Sequence, residues 1–387
     1  MYTSGTTGQF KGVELTNENF ITNISDVLSW VEVTHKDKFL SVLPLSHVFE
    51  RTVGYYIPLL CGATIGYVLD PTKISEVAQA EKPTIIIAVP RLYEKIYLAV
   101  KEKAEKSAIK KVLFKIAFDI GKKMERGTLL YQIANLIVFK KIKKAFGGKV
   151  RFFVSGAASL QQEIGEFFDA LSIPVLEGYG LTETSPIIST NSVKNRKYGT
   201  IGKVLPSVQY KIEKGELYVK GPSVFGGYYK QPQKTKEALT SGGWLKTGDL
   251  VSEDRDGYLK FDKRKKEIIV LSTGKNIGPA HLEEMMQMSP LINQAFVFGD
   301  EKKHVGALIV PEKEKVKGLD KKKLEEEIKK ELDRFLNNQV SSYEQVRKFI
   351  IIKKPFTVEN GMLTPTLKLR RQKIEEVYAE EIEKIYQ

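Results

Sequence analysis

The sequence predicts an α/β protein with a large domain built on a parallel sheet and a small α+β C-terminal domain. Between residues 16 and 170, short runs of β-branched and aromatic residues alternate with amphipathic helical stretches, which is typical of parallel strands joined by crossover helices. From about residue 199 to 261, short strands and glycine-containing turns predict a small β subdomain. The charged run 262–266 is the most linker-like segment, so we expect domains 1–263 and 264–387.

The elements follow in order along the chain. In the large domain, strands are expected at 39–43, 63–68, 84–89 and 150–155, and helices at 18–30, 72–80 and 92–108. In the β subdomain, strands are expected at 203–213, 216–220 and 258–261. In the C-terminal domain we expect a strand at 268–271, a helix at 281–288, strands around 294–298 and 305–311, and a charged helix with an apolar stripe of Leu324, Ile328, Leu332 and Phe335.

Composition excludes several classes of protein. The chain has 387 residues, of which 42% are apolar and 28% charged, so it is globular. Its one cysteine, Cys61, permits no disulfide within the chain and points to a reducing compartment, so we expect a cytoplasmic protein. No apolar run reaches the roughly 20 residues of a membrane helix.

The positive charge is concentrated in residues 101–150, which we call the basic segment. It carries 14 Lys and Arg against four Asp and Glu, although the net charge of the whole chain is only +14. Two apolar stripes with helical spacing run through it, formed by Ile109, Val112, Leu113, Ile116 and Ile120 and by Leu129, Leu130, Ile133 and Ile137. We expect the stripes to pack on the domain with the lysines in solvent; the alternative is peripheral contact with an anionic membrane or an acidic ligand. No nucleic-acid-binding signature accompanies the charge.

The first residues have the composition of a phosphate-binding loop. Glycines let backbone N–H groups turn toward an anion, hydroxyls add donors, and a lysine supplies charge. The segment contains all three kinds: Gly5, Gly8 and Gly12, then Thr3, Ser4, Thr6 and Thr7, then Lys11. It is not a Walker loop, because Phe10 stands where that motif needs glycine.

In the order of its residues, this loop resembles the phosphate loop of the AMP-forming acyl-CoA synthetase family. Further segments resemble that family's motifs in the family's order: VSGAA at 154–158, GYGLTET at 178–184, GYYK at 227–230, GWLKTGD at 243–249, DGY at 256–258, RKKE at 264–267 and NGMLTPTLKL at 360–369. The segments LPLSHVFER at 43–51 and VPRLYEK at 89–95 resemble the long-chain fatty acid branch. The resemblance implies ATP- and Mg²⁺-dependent ligation of a long-chain fatty acid to coenzyme A through an acyl-adenylate.

The resemblance also implies roles for single residues. The loop from Thr3 to Lys11 would hold the β- and γ-phosphates of ATP, and Glu183, beside Thr182 in the catalytic motif, would ligate Mg²⁺. On the nucleoside side, Gly156 and Ala157 would border adenine, Tyr179 would lie against it between Gly178 and Gly180, and Asp249 and Arg264 would bind the ribose. In the C-terminal domain, Lys368 would reach the α-phosphate, Lys263 would be the hinge, and Gly274 would lie near the pantetheine path. His47 and Phe49 would line the acyl entrance, with core packing as the alternative.

Members of the family carry roughly another domain before this loop, so the sequence resembles a synthetase that lacks its N-terminal part. We therefore expect exposed apolar surface and an unpaired strand edge. Two alternatives to an active ligase remain open. One is an impaired fragment, or half of a split enzyme, that binds nucleotide or a complementary N-terminal segment; the other is a membrane-surface adaptor that uses the basic segment.

Overall fold

A computed structural model of the chain describes residues 1–4, 10–70, 73–364 and 367–386, apart from the side chains of Ser4, Phe10 and Lys266. The chain divides into two compact units, Met1–Phe261 and Asp262–Gln387, which we call the first and second units. This division lies close to the boundary expected from the charged run.

A seven-stranded mixed sheet forms the centre of the first unit, in the order β4-β3-β5-β6-β7-β8-β9. Its strands are β3 (Lys38–Ser41), β4 (Thr64–Tyr67), β5 (Ile85–Ala88), β6 (Phe152–Ser155), β7 (Val175–Gly180), β8 (Ile187–Thr190) and β9 (Lys203–Val204). Strands β3 to β7 pair in parallel, as expected, whereas β8 and β9 are antiparallel. Every residue of β5 is apolar and buried, as is usual for a parallel strand covered on both faces.

Two smaller sheets contain the other strands described in the first unit, of which the last, β14, extends beyond the end of that unit at Phe261. One has the order β1-β2-β12, with β1 (Tyr2–Ser4), β2 (Phe10–Glu14) and β12 (Gly227–Tyr228). The other, in the expected β subdomain, has the order β10-β11-β13-β14, with β10 (Gln209–Glu213), β11 (Glu216–Lys220), β13 (Leu245–Glu253) and β14 (Leu259–Arg264).

The helices of the first unit are α1 (Asn17–Trp30), α2 (Ile57–Leu60), α3 (Ile74–Glu81), α4 (Pro90–Glu105), α5 (Ala108–Lys123), α6 (Leu129–Ala134), α7 (Lys140–Lys144), α8 (Gln162–Ala170) and α9 (Pro232–Ala238). π-Helical segments at Glu50–Tyr56 and Asn135–Phe139 precede α2 and α7. Helix α1 begins with a capping box, in which Thr16 and Asn19 each accept a backbone N–H from the other. None of the helices in the described ranges is long and apolar enough to cross a bilayer.

The basic segment is helical as predicted, but the expectation that its apolar stripes pack on the domain is wrong. Helix α5 buries Ala117 and Phe118, and α6 buries Tyr131 and Ala134. The predicted stripes are exposed, except for the half-buried Ile120. The physical reason is that each helix carries two apolar faces, and the large aromatic side chains of Phe118 and Tyr131 occupy the inner one.

The second unit contains two small sheets and five helices within its described part. Its strands are β15 (Ile269–Val270) and β16 (Asn276–Ile277), which form a hairpin, and β17 (Ile292–Phe298), β18 (Gly306–Pro311) and β19 (Lys348–Ile351). Its helices are α10 (Pro279–Met286), α11 (Lys313–Val316), α12 (Lys321–Leu332), α13 (Arg371–Val377) and α14 (Ala379–Lys384). The expected stripe of α12 packs inward through Ile328 and Leu332, and the adjoining π-helical turn buries Leu336 beside the half-buried Phe335.

Candidate active site

The predicted phosphate loop connects a short hairpin. Strands β1 and β2 pair antiparallel, with Thr3 opposite Lys11. Strand β12 pairs with the other edge of β2, so that Tyr228 lies opposite Val13. The four predicted residues Gly5, Thr6, Thr7 and Gly8 lie outside the described residues. The hairpin nevertheless fixes where the loop leaves and returns.

Lys11 and Glu183 meet on the same tyrosine. The Nζ atom of Lys11 lies 4.7 Å from the centre of the Tyr228 ring, and the Tyr228 hydroxyl donates a hydrogen bond of 2.6 Å to Oε1 of Glu183. Burial raises the pKa of Tyr228, and the Glu183 charge and hydrogen bond raise it further, so the phenol stays protonated and donates. Tyr228 therefore contacts both a cation suited to binding a phosphate and a carboxylate suited to binding a metal.

Glu183 is held by a tight turn. It lies in the 3₁₀ turn Thr182–Thr184 that follows β7. The buried Thr184 hydroxyl accepts the backbone N–H of Leu181 at 3.0 Å and donates to the Pro186 carbonyl at 2.6 Å. The Glu183 carbonyl accepts the backbone N–H of Phe225. These bonds fix the backbone on both sides of the half-buried Glu183 and Thr182.

The two residues predicted for adenine and ribose are joined directly. The Tyr179 hydroxyl, from β7, donates a hydrogen bond of 2.7 Å to Oδ2 of the fully buried Asp249, from β13. The Thr247 hydroxyl accepts the backbone N–H of Asp249 at 3.1 Å. A carboxylate held in this way keeps a fixed orientation, which is what recognition of a pair of ribose hydroxyls requires.

The two glycines beside Tyr179 differ in what the protein demands of them. A Cβ atom at Gly180 would lie 1.8 Å from the Pro186 carbonyl oxygen, so only glycine fits there. At Gly178 the first atom that a Cβ would meet is the Thr190 hydroxyl oxygen at 3.6 Å, an ordinary contact. Glycine at 178 is therefore not required by protein packing.

The loop after β6 is fixed by a buried glutamate. Ala157 adopts a left-handed conformation with φ of 73°, a conformation that costs energy for a residue with a Cβ. At the end of this loop, the backbone N–H of Leu160 donates to the Glu177 carboxyl at 3.3 Å. Burial raises the pKa of Glu177 to about 8. Glu177 thus ties the loop containing Gly156 and Ala157 to the strand that carries Tyr179.

The residues predicted for the acyl entrance have unequal exposure. His47 is half-buried, and its Nδ1 accepts the backbone N–H of Phe49 at 3.3 Å. Phe49 is buried in the main core, where a Cβ at Gly156 would lie 2.9 Å from its ring, which favours the core-packing alternative for Phe49. The next residue, Glu50, is completely buried and accepts the Ser41 hydroxyl. Burial raises its pKa to about 7.

The remaining predicted residues lie at or beyond the division into units. Lys368 is exposed, and its backbone N–H donates to the Thr364 hydroxyl at 3.0 Å. Gly274 lies in the β15–β16 turn with φ of 76°. Lys263 and Arg264 end strand β14. The parts that these residues play at the site in the first unit stay predictions.

The second unit contains a cationic cavity of about 350 Å³. Its lining consists of Lys303, His304, Ser342, Tyr343, Gln345, Arg347 and Lys348. Burial lowers the pKa of His304, and the charges of Lys348 and Arg347 lower it further. The cavity therefore has a positive potential that suits an anionic group.

Magnesium fits the residues that the structure brings together. Across the described ranges, no group of three or more His, Cys, Asp and Glu side chains is arranged to hold a metal. Mg²⁺, however, is commonly held by one or two carboxylates together with substrate phosphates and water. Glu183, oriented by Tyr228 beside Lys11, meets that requirement.

Sequence reasoning missed the parts played by Tyr228 and Glu177. Tyr228 belongs to the GYYK segment, but its spacing gave no reason to link it with both Lys11 and Glu183. A glutamate directly before Gly178-Tyr179-Gly180 is a signal that could have identified Glu177, since a carboxyl in an otherwise apolar strand must be accounted for.

The comparisons with known proteins match both parts of the chain to one family of enzymes. Residues 1–229 match the AMP-binding enzyme family model and residues 266–387 the AMP-binding enzyme C-terminal domain model. The long-chain-fatty-acid–CoA ligase FadD15 of Mycobacterium bovis is 36% identical over 413 residues, which cover the whole of this chain and 68% of the relative.

Solved structures match the whole of this chain but only part of their own. The adenylation domain of a carboxylate reductase from Mycobacterium chelonae has a TM-score of 0.82 and 27% identity over 59% of its length. The corresponding domain from Segniliparus rugosus, in complex with AMP and a co-purified carboxylic acid, has a TM-score of 0.80 and 26% identity over 61% of its length. Together with the motifs and the site geometry, these matches show that the chain belongs to the family of AMP-binding, AMP-forming acyl-CoA synthetases.

Proposed function

We propose that the chain activates a long-chain fatty acid with ATP to an acyl-adenylate and transfers the acyl group to coenzyme A. The observation that carries the proposal is the contact of Lys11 and Glu183 with Tyr228. Adenylation brings an anionic carboxylate to an anionic α-phosphate, so the protein must chiefly position the reactants and neutralise charge. A lysine and a carboxylate with metal-binding chemistry, held by one phenol, are suited to that task.

The residues of the first unit have separate roles in this proposal. Lys11 faces the phosphates, and Asp249, oriented by Tyr179, accepts the ribose hydroxyls. Tyr228 is a positioning residue, because it acts by orienting the Glu183 carboxylate. Mg²⁺ held through Glu183 would supply additional positive charge to the pyrophosphate leaving group. Lys368 would bring its charge to the α-phosphate and the substrate carboxylate.

The acceptor and the chain length belong to the proposal as well. Coenzyme A carries several phosphate groups, and the cationic cavity around His304 and Arg347 supports an acceptor of that kind. FadD15 is named a long-chain-fatty-acid–CoA ligase, and its similarity supports a long acyl substrate here. The segment 43–51, with its form LPLSHVFER, supports the same chain-length class.

The test is pyrophosphate release from ATP and palmitate, followed by loss of free thiol when coenzyme A is added. We expect Lys368→Ala to abolish pyrophosphate release, whereas Lys354→Ala, which changes an exposed lysine of the same unit, retains it. Tyr228→Phe should lower the rate about 10- to 100-fold, because a hydrogen bond to a charged group contributes roughly 1.5–3 kcal/mol. Tyr228→Phe should also need a higher Mg²⁺ concentration to reach its half-maximal rate.

Three outcomes would change the proposal. Release by Lys368→Ala equal to that of the unchanged chain would contradict the proposed role of Lys368. Nucleotide binding without pyrophosphate release by the folded chain would favour the fragment or split-enzyme alternative, and rescue by an added N-terminal segment would identify a split enzyme. Pyrophosphate release without loss of free thiol would indicate that coenzyme A is not the acceptor of the acyl group.

A further inference from the structure

The basic segment presents apolar side chains to solvent on two packed helices. Helices α5 and α6 contact each other, and the ring of Phe118 on α5 lies 5.5 Å from the ring of Phe139, which ends the π-helical segment that follows α6. Nine aliphatic side chains of the segment are each between 41% and 76% exposed: Ile109, Val112, Leu113, Ile116, Leu129, Leu130, Ile133, Leu136 and Ile137. We call these nine residues the outer face. So many exposed aliphatic side chains on neighbouring helices are unusual on a protein that has no partner for them.

The outer face is distinct from the face that holds the helices on the domain. An α-helix turns by about 100° per residue, so Ile109, Val112, Leu113 and Ile116 fall within roughly 100° of one another. The buried Phe118, whose ring stacks on that of Phe167 at 4.8 Å, lies on the other side of α5. The core therefore does not use the outer face.

Lysines border the outer face. On α5, Lys110 and Lys115 lie roughly 60° to either side of the apolar stripe, and both are exposed. At the far end of the segment, Lys140, Lys141 and Lys144 are exposed on α7. The segment has 14 cationic side chains against four acidic ones, and three of these cations, Lys101, Lys122 and Arg126, pair with acidic residues of α8. The surface thus combines an aliphatic centre with a cationic rim.

We propose that the outer face and its lysines dock the protein on the surface of an anionic lipid bilayer. Aliphatic side chains enter the interface between headgroups and acyl chains, while lysines remain at the level of the anionic headgroups. A second copy of the chain fits poorly, because it would bring two cationic surfaces together. Nucleic acid would leave the aliphatic side chains without a partner. The inference goes beyond the proposed ligase activity and does not depend on it.

Co-sedimentation of the full chain with vesicles tests the proposal without any substrate. We expect binding to vesicles of phosphatidylcholine and phosphatidylglycerol in a 7:3 ratio, at least about tenfold weaker binding to phosphatidylcholine alone, and weaker binding in 0.5 M than in 0.1 M NaCl. The triple change Lys110→Glu, Lys115→Glu and Lys123→Glu should weaken binding by at least about tenfold, since helical spacing places the exposed Lys123 within the arc of the apolar stripe. The matched control reverses Lys321, Lys322 and Lys323 on α12, whose apolar stripe is buried inward.

Changes in the outer face separate insertion from charge attraction. Ile109→Ser with Leu129→Ser should weaken vesicle binding by about tenfold at unchanged net charge. The fluorescence that Leu129→Trp adds to that of the unchanged chain should shift to the blue when the anionic vesicles are added, whereas the fluorescence added by Leu319→Trp, at an exposed position of the second unit, should not. Circular dichroism checks that each variant stays folded.

Three results would overturn the proposal. The first is equal weakening by the reversals on α5 and α12, which would indicate attraction by net charge alone. The second is binding that does not depend on anionic lipid. The third is a concentration-dependent dimer that Ile109→Ser with Leu129→Ser abolishes, which would assign the outer face to a second copy of the chain.

Discussion

Glu50 makes the stability of the first unit depend on pH. It is completely buried, it accepts the Ser41 hydroxyl, and no described residue gives its Oε2 atom a hydrogen-bond partner. Burial raises its pKa from the usual 4.5 to about 7, against the opposing effect of the Ser41 hydrogen bond. A Cβ at Gly54 would lie 2.2 Å from its Oε1 atom, so the carboxyl is enclosed by its own helix.

The sign of the effect follows from which state ionises first. The unfolded chain loses the proton near pH 4.5, whereas the folded chain keeps it until about pH 7. The stabilisation is therefore fully present below about pH 4.5 and is lost as the pH rises to about 7. A difference of 2.5 in pKa corresponds to about 3 kcal/mol. Glu50→Gln cannot ionise. Its stability relative to the unchanged chain should therefore be greater at pH 8 than at pH 4.5, by about that amount.

The assay is urea unfolding followed by tryptophan fluorescence. Both tryptophans, Trp30 and Trp244, lie in the first unit, so the signal reports that unit even if the two units unfold separately. Glu76→Gln, at an exposed position on α3, is the matched control and should leave the pH dependence unchanged. A stability difference between Glu50→Gln and the unchanged chain that is the same at pH 4.5 and pH 8 would refute the reasoning.

Three further predictions concern single side chains. Gly180→Ala should destabilise the first unit by roughly 3 kcal/mol or more in urea unfolding, because its Cβ would lie 1.8 Å from a carbonyl oxygen. Gly178→Ala should change the stability little, and equal effects of the two substitutions would contradict this. The melting temperature of Glu177→Gln, relative to that of the unchanged chain, should be higher at pH 9 than at pH 5. The reason is that ionisation of Glu177, whose pKa is about 8, costs the folded chain up to about 5 kcal/mol of stability. The same difference in melting temperature at both pH values would contradict this. Arg371→Met should destabilise the second unit by about 3–5 kcal/mol, because Arg371 forms an ion pair of 2.5 Å with the buried Glu283. Thermal unfolding followed by circular dichroism measures this, and a loss of stability below about 1 kcal/mol would contradict the prediction.

The sequence predicted most of what depends on local periodicity. The strands around Phe39, Ile86 and Phe153 and the helix ending at Trp30 lie where expected, because alternation and helical spacing reflect burial of the same residues. Periodicity did not predict the antiparallel strand β8, since pairing direction is set by tertiary contacts. It also did not predict the π-helical turn that carries Glu50, because local spacing alone does not distinguish it from an α-helix.

The apolar stripes of α5 and α6 show a different limit. Ile109, Val112 and Ile116 have the spacing of core residues, yet they are exposed, while Phe118 and Tyr131 face inward. A helix with two apolar faces has no periodicity that says which face the domain uses. The larger aromatic side chains offer more area to bury, so they are the better guide when two stripes compete.

The candidate site follows from where the parallel strands end. Ser41 ends β3, Ser155 ends β6, and Glu177 precedes Tyr179 in β7, so all of them lie toward the carboxyl edge of the sheet. Open α/β sheets bind ligands at that edge, where loops rather than neighbouring strands surround the side chains. Among the described residues the buried Ser155 hydroxyl has no hydrogen-bond partner, and the buried Glu177 has a raised pKa. Buried polar groups of this kind destabilise the fold, so their concentration at this edge is best explained by the binding chemistry proposed for it.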